Sequence, residues 1–361
     1  MKKYFSMLAF LTIGAMTFTS CSNDDDDKDK VVPMRTVADG VLVLNEGNYF
    51  SNINGSLDYL NYKSSNVTRN CFQTANGRSL GGTPNDAIIN DEDELYIATT
   101  FENRVEIADA KTMKSVAVAK IRKPRELASD GSYVYVSSYT GRVYKIDDKS
   151  HEVVDSSEVI GTNLEGIAVY KGYVYVSNAW NDDYTYNTNV VKLDVELNKV
   201  KDITVVANPG QLIAYENYIY VASQGNYIDV QPTVQRINCV TDEVSVIGTA
   251  SMMACNNDRL YMINAPYGSP ATYSYYDIRT QTTQKWIDGS EIYSPYAMAV
   301  DPITDEVFIT SQNEDVEKHI ANFYADGYLT QYSRDGVFKK KYVCGVNPGT
   351  ILFATRTAAN D

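Results

Sequence analysis

One pattern constrains this chain more than any other. A short strand built around a central aromatic recurs about every forty residues. It reads Glu94-Leu-Tyr-Ile-Ala98, Tyr133-Val-Tyr-Val-Ser137, Tyr173-Val-Tyr-Val-Ser177, Tyr218-Ile-Tyr-Val-Ala222, Arg259-Leu-Tyr-Met-Ile263 and Glu306-Val-Phe-Ile-Thr310. The central residues Tyr96, Tyr135, Tyr175, Tyr220, Tyr261 and Phe308 are 39, 40, 45, 41 and 47 apart. A seventh, aliphatic copy is Gly40-Val-Leu-Val-Leu44. Each copy follows a first strand, often led by proline, as in Pro84-Asn-Asp-Ala-Ile-Ile89, Pro124-Arg-Glu-Leu-Ala128, Pro209-Gly-Gln-Leu-Ile-Ala214 and Pro295-Tyr-Ala-Met-Ala299. Turn-formers such as Asp130-Gly131 and Lys171-Gly172 separate the two, which marks tight hairpins. A third strand ending in an Asp turn and a shorter fourth strand complete the unit, for instance Val105–Asp109 and Ser115–Ala119. No long segment has helical periodicity.

Four strands per repeat make the blade of a β-propeller, and blades with two apolar faces must stack in a ring to bury both. The fold class expected is all-β, a seven-bladed β-propeller spanning residues 37–357. Its ends are complementary: the chain opens on a second-strand copy, while Pro348-Gly-Thr-Ile-Leu-Phe353 is a first-strand copy without a partner. The N- and C-terminal strands are therefore expected to close one shared blade and remove an open sheet edge.

Residues 1–20 have a basic start at Lys2 and Lys3 and a short apolar run, too short for a transmembrane helix and right for a signal peptide. The following Cys21 resembles the lipidated cysteine of bacterial lipoproteins, with Phe18 in place of the usual aliphatic residue. Residues 21–36 then form an acidic flexible tether, with Asp24 to Asp27 its densest part. This run resembles the export signal that places such lipoproteins on the outer face of the outer membrane, so lipid anchoring and surface exposure are expected. Cys71, Cys239, Cys255 and Cys344 show no CxxC pairing and lie in apolar strand patterns, the usual setting of small buried thiols.

The loops after each Tyr strand are where function is expected, since loops on a rigid scaffold carry it. Nearly all hold an aromatic among Asn, Gln, Ser and Thr. The ligand-binding set read from them is Asn45, Tyr49, Phe101, Tyr139, Asn178, Trp180, Tyr184, Gln224, Tyr227, Tyr267, Gln312 and Asn313, with 178–189 the strongest candidate. Tyrosine and tryptophan offer contact area at small entropy cost and keep a polar handle. The Tyr-strand aromatics themselves read as packing between blades.

Other chemistries are weakly supported. The two histidines, His151 and His319, are far apart; His151 reads as solvated surface in a turn, and His319 lies in the long segment 311–328. The pairs Asp182-Asp183 and Glu314-Asp315 read as solvated acids rather than an acid–base couple. No EF-hand spacing, P-loop or dinucleotide fingerprint occurs, and a net charge of −14 argues against a nucleic-acid partner. No enzyme activity, resident cofactor or metal is expected.

Taken together, Cys21, the acidic run and the Tyr-Val-Tyr-Val repeats resemble the YncE-like, surface-layer-type β-propellers of the Bacteroidota over residues 40–355. More narrowly, length, lipoprotein start and loops such as Leu44-Asn-Glu-Gly-Asn-Tyr49 and Ser177-Asn-Ala-Trp180 resemble the BtuG-type surface lipoproteins. That resemblance implies capture of cobalamin or a related corrinoid and delivery to a TonB-dependent outer-membrane transporter. Loop amides would pair with the corrinoid's amides and loop aromatics with its faces. A glycan, haem or peptide ligand, or a surface-layer interaction role, remain alternatives.

Overall fold

The computed structural model describes residues 34–266 and 269–359. Cys21, the expected signal segment and most of the expected tether lie outside the described residues, as does Tyr267. Seven four-stranded antiparallel sheets form seven blades, and a two-stranded hairpin, Asn313–Asp315 with Ile320–Asn322, is inserted in the last. Blades 2 to 7 are each continuous in sequence, from Pro84–Ile89 outward through to Phe338–Val343.

Blade 1 is the shared one. Its inner strand is Pro348–Ala359, its second strand Met34–Asn45, and then Ser56–Asn61 and Asn66–Thr68 follow. The inner pair runs antiparallel from Leu44↔Thr350 through Val41↔Phe353 and, past a register shift between Ala38 and Gly40, to Met34↔Ala359, so both ends of the described chain lie together at one face.

The expected role of the central aromatics follows from their burial. Tyr96, Tyr135, Tyr175, Tyr220, Tyr261 and Phe308 are at most 1 % exposed. Seven apolar clusters sit one at each blade–blade junction, the last joining Val41 and Val43 of blade 1 to Phe308 and Leu329 of blade 7. A buried phenol needs a polar partner, and Tyr96 donates to Asp148 at 2.8 Å and Tyr135 to Asp130 at 2.9 Å.

The inner strands surround a channel of about 510 Å³. Most are interrupted near their first residues by a register shift, as between Pro84 and Asp86, Pro124 and Leu127, and Pro209 and Leu212. Side chains at these irregularities bind the next blade. Asp86 accepts from the Leu127 N–H at 2.9 Å, Gln211 accepts from the Met253 N–H at 3.1 Å, and Asn85 donates to the Arg125 carbonyl at 2.9 Å. A belt of side chain to backbone bonds thus ties neighbouring blades at the channel neck and satisfies groups that the irregular strands leave unpaired.

Several expectations need correction. A short helix, Cys71–Asn76, precedes blade 2 where only strands were expected. It is too short for periodicity to reveal, and Phe72 pins it to the first core cluster. Of the four thiols only Cys255 lies in a strand; Cys71 opens the helix and Cys239 and Cys344 follow strand ends. All four are free, and only Cys344 is fully buried. His151 is not free surface: it is 20 % exposed and its Nε2 lies 3.0 Å from Glu94 of the neighbouring blade. His319 is exposed and pairs with Glu314.

Candidate functional site

The second-to-third-strand loops and the first residues of the inner strands meet on one face. There a cleft of about 410 Å³ opens above blades 3 to 5. Trp180, Tyr184, Tyr186 and Tyr227 wall it, Asn208, Gly210 and Gln224 complete it, and Glu126 and Glu165 form its floor. Trp180, Tyr184, Gln224 and Tyr227 of the expected set therefore line one cavity.

The cleft owes its height to an extended hairpin. The strands Tyr173–Trp180 and Tyr186–Asp194 run past the blade, so the loop expected at 178–189 is only a tight turn over 181–185. Asparagines bind the hairpin together. Asn178 donates to Asn189 at 3.1 Å, Asn181 to Asn187 at 3.0 Å, and Asn187 to Asn178 at 3.2 Å. Asn178 is accordingly a brace for the walls, with its amide engaged. Trp180 and Tyr184 stack almost parallel, ring centroids 5.9 Å apart, and Tyr186 meets Tyr227 edge-on at 5.8 Å.

The backbone places two of these rings at a cost. Tyr184 has φ +64° and Tyr227 φ +60°, left-handed values that a bulky residue seldom adopts. Each is held by its turn: the Tyr184 N–H bonds the Asn181 carbonyl, and Asn226 Oδ1 accepts from the N–H groups of Ile228, Asp229 and Val230. Left-handed turn residues recur around the ring, as at Met113, His151 and Leu197, so these values fix the two rings without by themselves marking the site.

Beneath the walls lies a charged network. Arg125 Nε and Nη2 reach Glu165 at 3.0 and 2.9 Å, and the guanidinium lies over the Tyr139 ring at 4.4 Å. Tyr139 donates to the other Glu165 oxygen and meets Trp180 edge-on at 5.5 Å. Tyr139 thus supports a wall of the cleft. Glu46 accepts from Tyr296 at 2.9 Å, and burial pushes its carboxyl up to about 7. Burial also raises Asp86 and Glu126, and Glu126 is pushed further by the charges of Asp86 and Glu165. Burial disfavours the charged form unless a partner compensates, and here Arg125 is already committed.

The remaining expected residues lie elsewhere. Asn45 is 1 % exposed and donates to Ser56 and Asp58, both at 3.0 Å, inside blade 1. Gln312, 4 % exposed, donates to Asn347 at 2.7 Å. Asn313 begins the inserted hairpin. Tyr49 and Phe101 stack at 4.2 Å and, with exposed Phe50, make a second aromatic platform. Among the described residues no group of three or more His, Cys, Asp or Glu is arranged to hold a metal ion. Arg125, Glu126, Glu165 and Glu46 were not singled out from sequence; the available signal was a run of charges within otherwise apolar inner-strand copies.

The family described as "Domain of unknown function (DUF5074)" matches residues 39–343. No curated protein matches the chain. Among solved structures, a quinonprotein alcohol dehydrogenase-like protein of Bacteroides thetaiotaomicron is 15 % identical, covers 88 % of this chain and 78 % of its own, and superposes with a TM-score of 0.63. A protein from Lactobacillus plantarum is 16 % identical over 88 % of this chain and 100 % of its own, with a TM-score of 0.60. The hydrazine synthase of Kuenenia stuttgartiensis is 14 % identical over 77 % and 95 %, with a TM-score of 0.57. At such identities the likeness is one of fold alone.

Proposed function

Because this chain belongs to the DUF5074 family, whose description assigns no activity, we propose its function from the site: it is a surface capture protein that binds cobalamin or a related corrinoid on its loop face. The observation that carries this reading is the preformed cleft, with four aromatic walls beside the amides of Asn208 and Gln224. A corrinoid presents a flat apolar macrocycle rimmed by amides, and such a surface matches rings and amides held side by side. The ligand is larger than about 410 Å³, so one edge or its nucleotide arm would occupy the cleft while the rest lies over neighbouring loops. A braced site spends little free energy on ordering, which favours tight capture.

The role is binding rather than catalysis. No Ser, Cys, His or Lys lines the cleft, and Glu165 is held by Arg125 and Tyr139. Lipidation at Cys21 would suit delivery to a TonB-dependent transporter in the same outer membrane. The chain enters the ring at the face opposite the cleft, since Met34 and Ala359 pair at the far end of the strands whose near ends are Asn45 and Pro348. Entry from that side would leave the loop face free to meet ligand first and transporter second.

Calorimetry of the mature chain with cyanocobalamin tests the proposal. One-to-one binding, weakened at least about tenfold by Trp180→Ala through loss of a central aromatic contact, is expected. Absence of heat at micromolar concentrations refutes corrinoid capture.

A further inference from the structure

The cleft's floor and walls differ in a way that specifies a charge on the ligand. Glu126 stands where the cleft opens into the central channel and lines both. The groups around it come from every neighbouring strand. Asp86 faces it from blade 2, Arg125 precedes it on its own strand, and Glu165 and the Ile167 N–H face it from blade 4. Gln211 of blade 5 lines the channel beside it. Glu46 adds a further carboxyl near Arg125. Four carboxyl groups thus share one guanidinium, whose Nε and Nη2 are both spent on Glu165 and whose face is spent on Tyr139. The free protein is short of positive charge at this point, and burial raises Glu46, Asp86 and Glu126 accordingly.

Directly above this deficit stand electron-rich rings. Trp180, Tyr184, Tyr186 and Tyr227 surround the opening onto Glu126 and Glu165, and two are held there by left-handed backbone. Aromatic faces attract cations by their quadrupole, most strongly where water is excluded, and an ionised carboxylate beneath adds a charge-assisted partner. The overall charge of −14 favours approach of a cation further. A neutral apolar ligand would use the walls and leave the floor uncompensated.

We infer that the cleft recognises an organic cation, an ammonium group carried on a largely apolar frame, seated between Trp180, Tyr184, Tyr186 and Tyr227 with Glu126 and Glu165 beneath it. The inference rests on the reading that this cleft is the capture site, and not on the ligand being a corrinoid. Glu126 is then the specificity-determining residue and Glu165, fixed by Arg125, its support.

The test compares choline with its uncharged isostere 3,3-dimethylbutan-1-ol. Each is titrated into the mature chain by calorimetry, with the combined fluorescence of Trp180 and Trp286 as a second readout and cyanocobalamin run in parallel. Choline is expected to bind about tenfold or more tightly than the isostere, the discrimination a partly desolvated cation–aromatic site supplies. Glu126→Gln should abolish that preference, choline binding falling to the level of the isostere in the same variant, which a purely structural role would not do. Should that variant unfold, the pH series on the native chain decides: preference for choline should grow from about pH 6 to pH 9 as the floor carboxyls Asp86, Glu46 and Glu126 ionise. Equal binding of choline and isostere, or a preference indifferent to both Glu126→Gln and pH, overturns the inference. Cyanocobalamin binding without choline preference removes the cation site and leaves corrinoid capture standing. Choline preference without cyanocobalamin binding does the reverse.

Discussion

Arg125→Met isolates what the charged floor contributes to folding. Arg125 makes two hydrogen bonds to Glu165, at 2.9 and 3.0 Å, and the two side chains are 16 and 17 % exposed. Removing one partner of a fully buried pair costs about 3–5 kcal/mol, whereas an exposed pair is worth about 0–1. This pair lies near the buried limit, beneath the walls of the cleft. The substitution also takes away the cation facing Glu46, Asp86 and Glu126 and the contact with Tyr139. Methionine keeps the apolar stem, so packing changes little. The expected loss is about 2–4 kcal/mol at pH 8, measured as the shift of the denaturation midpoint in urea with its slope unchanged. At pH 5 the loss should shrink, because the carboxyls left behind can be protonated. Adding Glu165→Gln should recover part of it, because the orphaned charge is gone. A loss below about 0.5 kcal/mol, equal losses at both pH values, or a double variant no better than Arg125→Met would each refute the assignment of Arg125 as the counter-charge of the floor.

Two further outcomes follow from the same region. Glu46, Asp86 and Glu126 have folded pKa values above their unfolded ones, Glu46 moving from 4.5 to about 7, so the folded protein binds more protons between those values. Their contribution to stability is present in full below about pH 4, where both states are protonated, and is lost as pH rises through the folded values of about 6 for Asp86, about 7 for Glu46 and about 8 for Glu126; melting temperatures of Glu126→Gln should vary less between pH 5 and 8 than those of the native chain. Gly166→Ala should destabilise by about 2–3 kcal/mol, since a Cβ there would lie 2.1 Å from the Gly210 carbonyl oxygen, and a chemical-denaturation midpoint unchanged from the native chain would show that the neck yields more easily than its geometry implies.

The ring was legible because its determinants are local and repeated. A buried aromatic such as Tyr135, flanked by valines and followed by a tight turn, must pack against the next copy, and seven copies with complementary ends leave little choice. Trp180, Tyr184 and Tyr227 were legible as exposed aromatics in polar loops. Asn45 and Gln312 are amides in the same kind of polar segment, yet they are buried, because each strand end here meets a neighbouring segment that supplies its partners: Ser56 and Asp58 for one, Asn347 for the other. The floor was illegible for a different reason. Arg125 and Glu126 occupy a strand that reads as core, and only the convergence of inner strands on one axis turns such positions toward each other and the channel.

That convergence also explains why the cleft lies where it does. The belt bonds align Asp86, Glu126 and Gln211 as one repeat position, each reaching the N–H of the next inner strand, at Leu127, Ile167 and Met253. The residue before each is then a second aligned position, occupied by Asn85, Arg125 and Gly210, with Glu165 as its copy in blade 4. Large charged side chains fill it in blades 3 and 4, and glycine leaves it open in blade 5, where the cleft is found. The space is thus a missing side chain framed by Trp180 and Tyr227. A Cβ on Gly210 would meet nothing closer than the Ala222 carbonyl oxygen at 3.5 Å and Gln224 Nε2 at 4.0 Å, and the backbone there is not left-handed. Gly210→Leu should therefore fold with a melting temperature near the native one, in contrast to Gly166→Ala, while its side chain fills the cleft and lowers ligand affinity about tenfold or more, as expected when a ligand is excluded from a preformed pocket. If Gly210→Leu folds and binds ligand as the native chain does, the ligand lies elsewhere on the face, and the platform of Tyr49, Phe50 and Phe101 becomes the site to test.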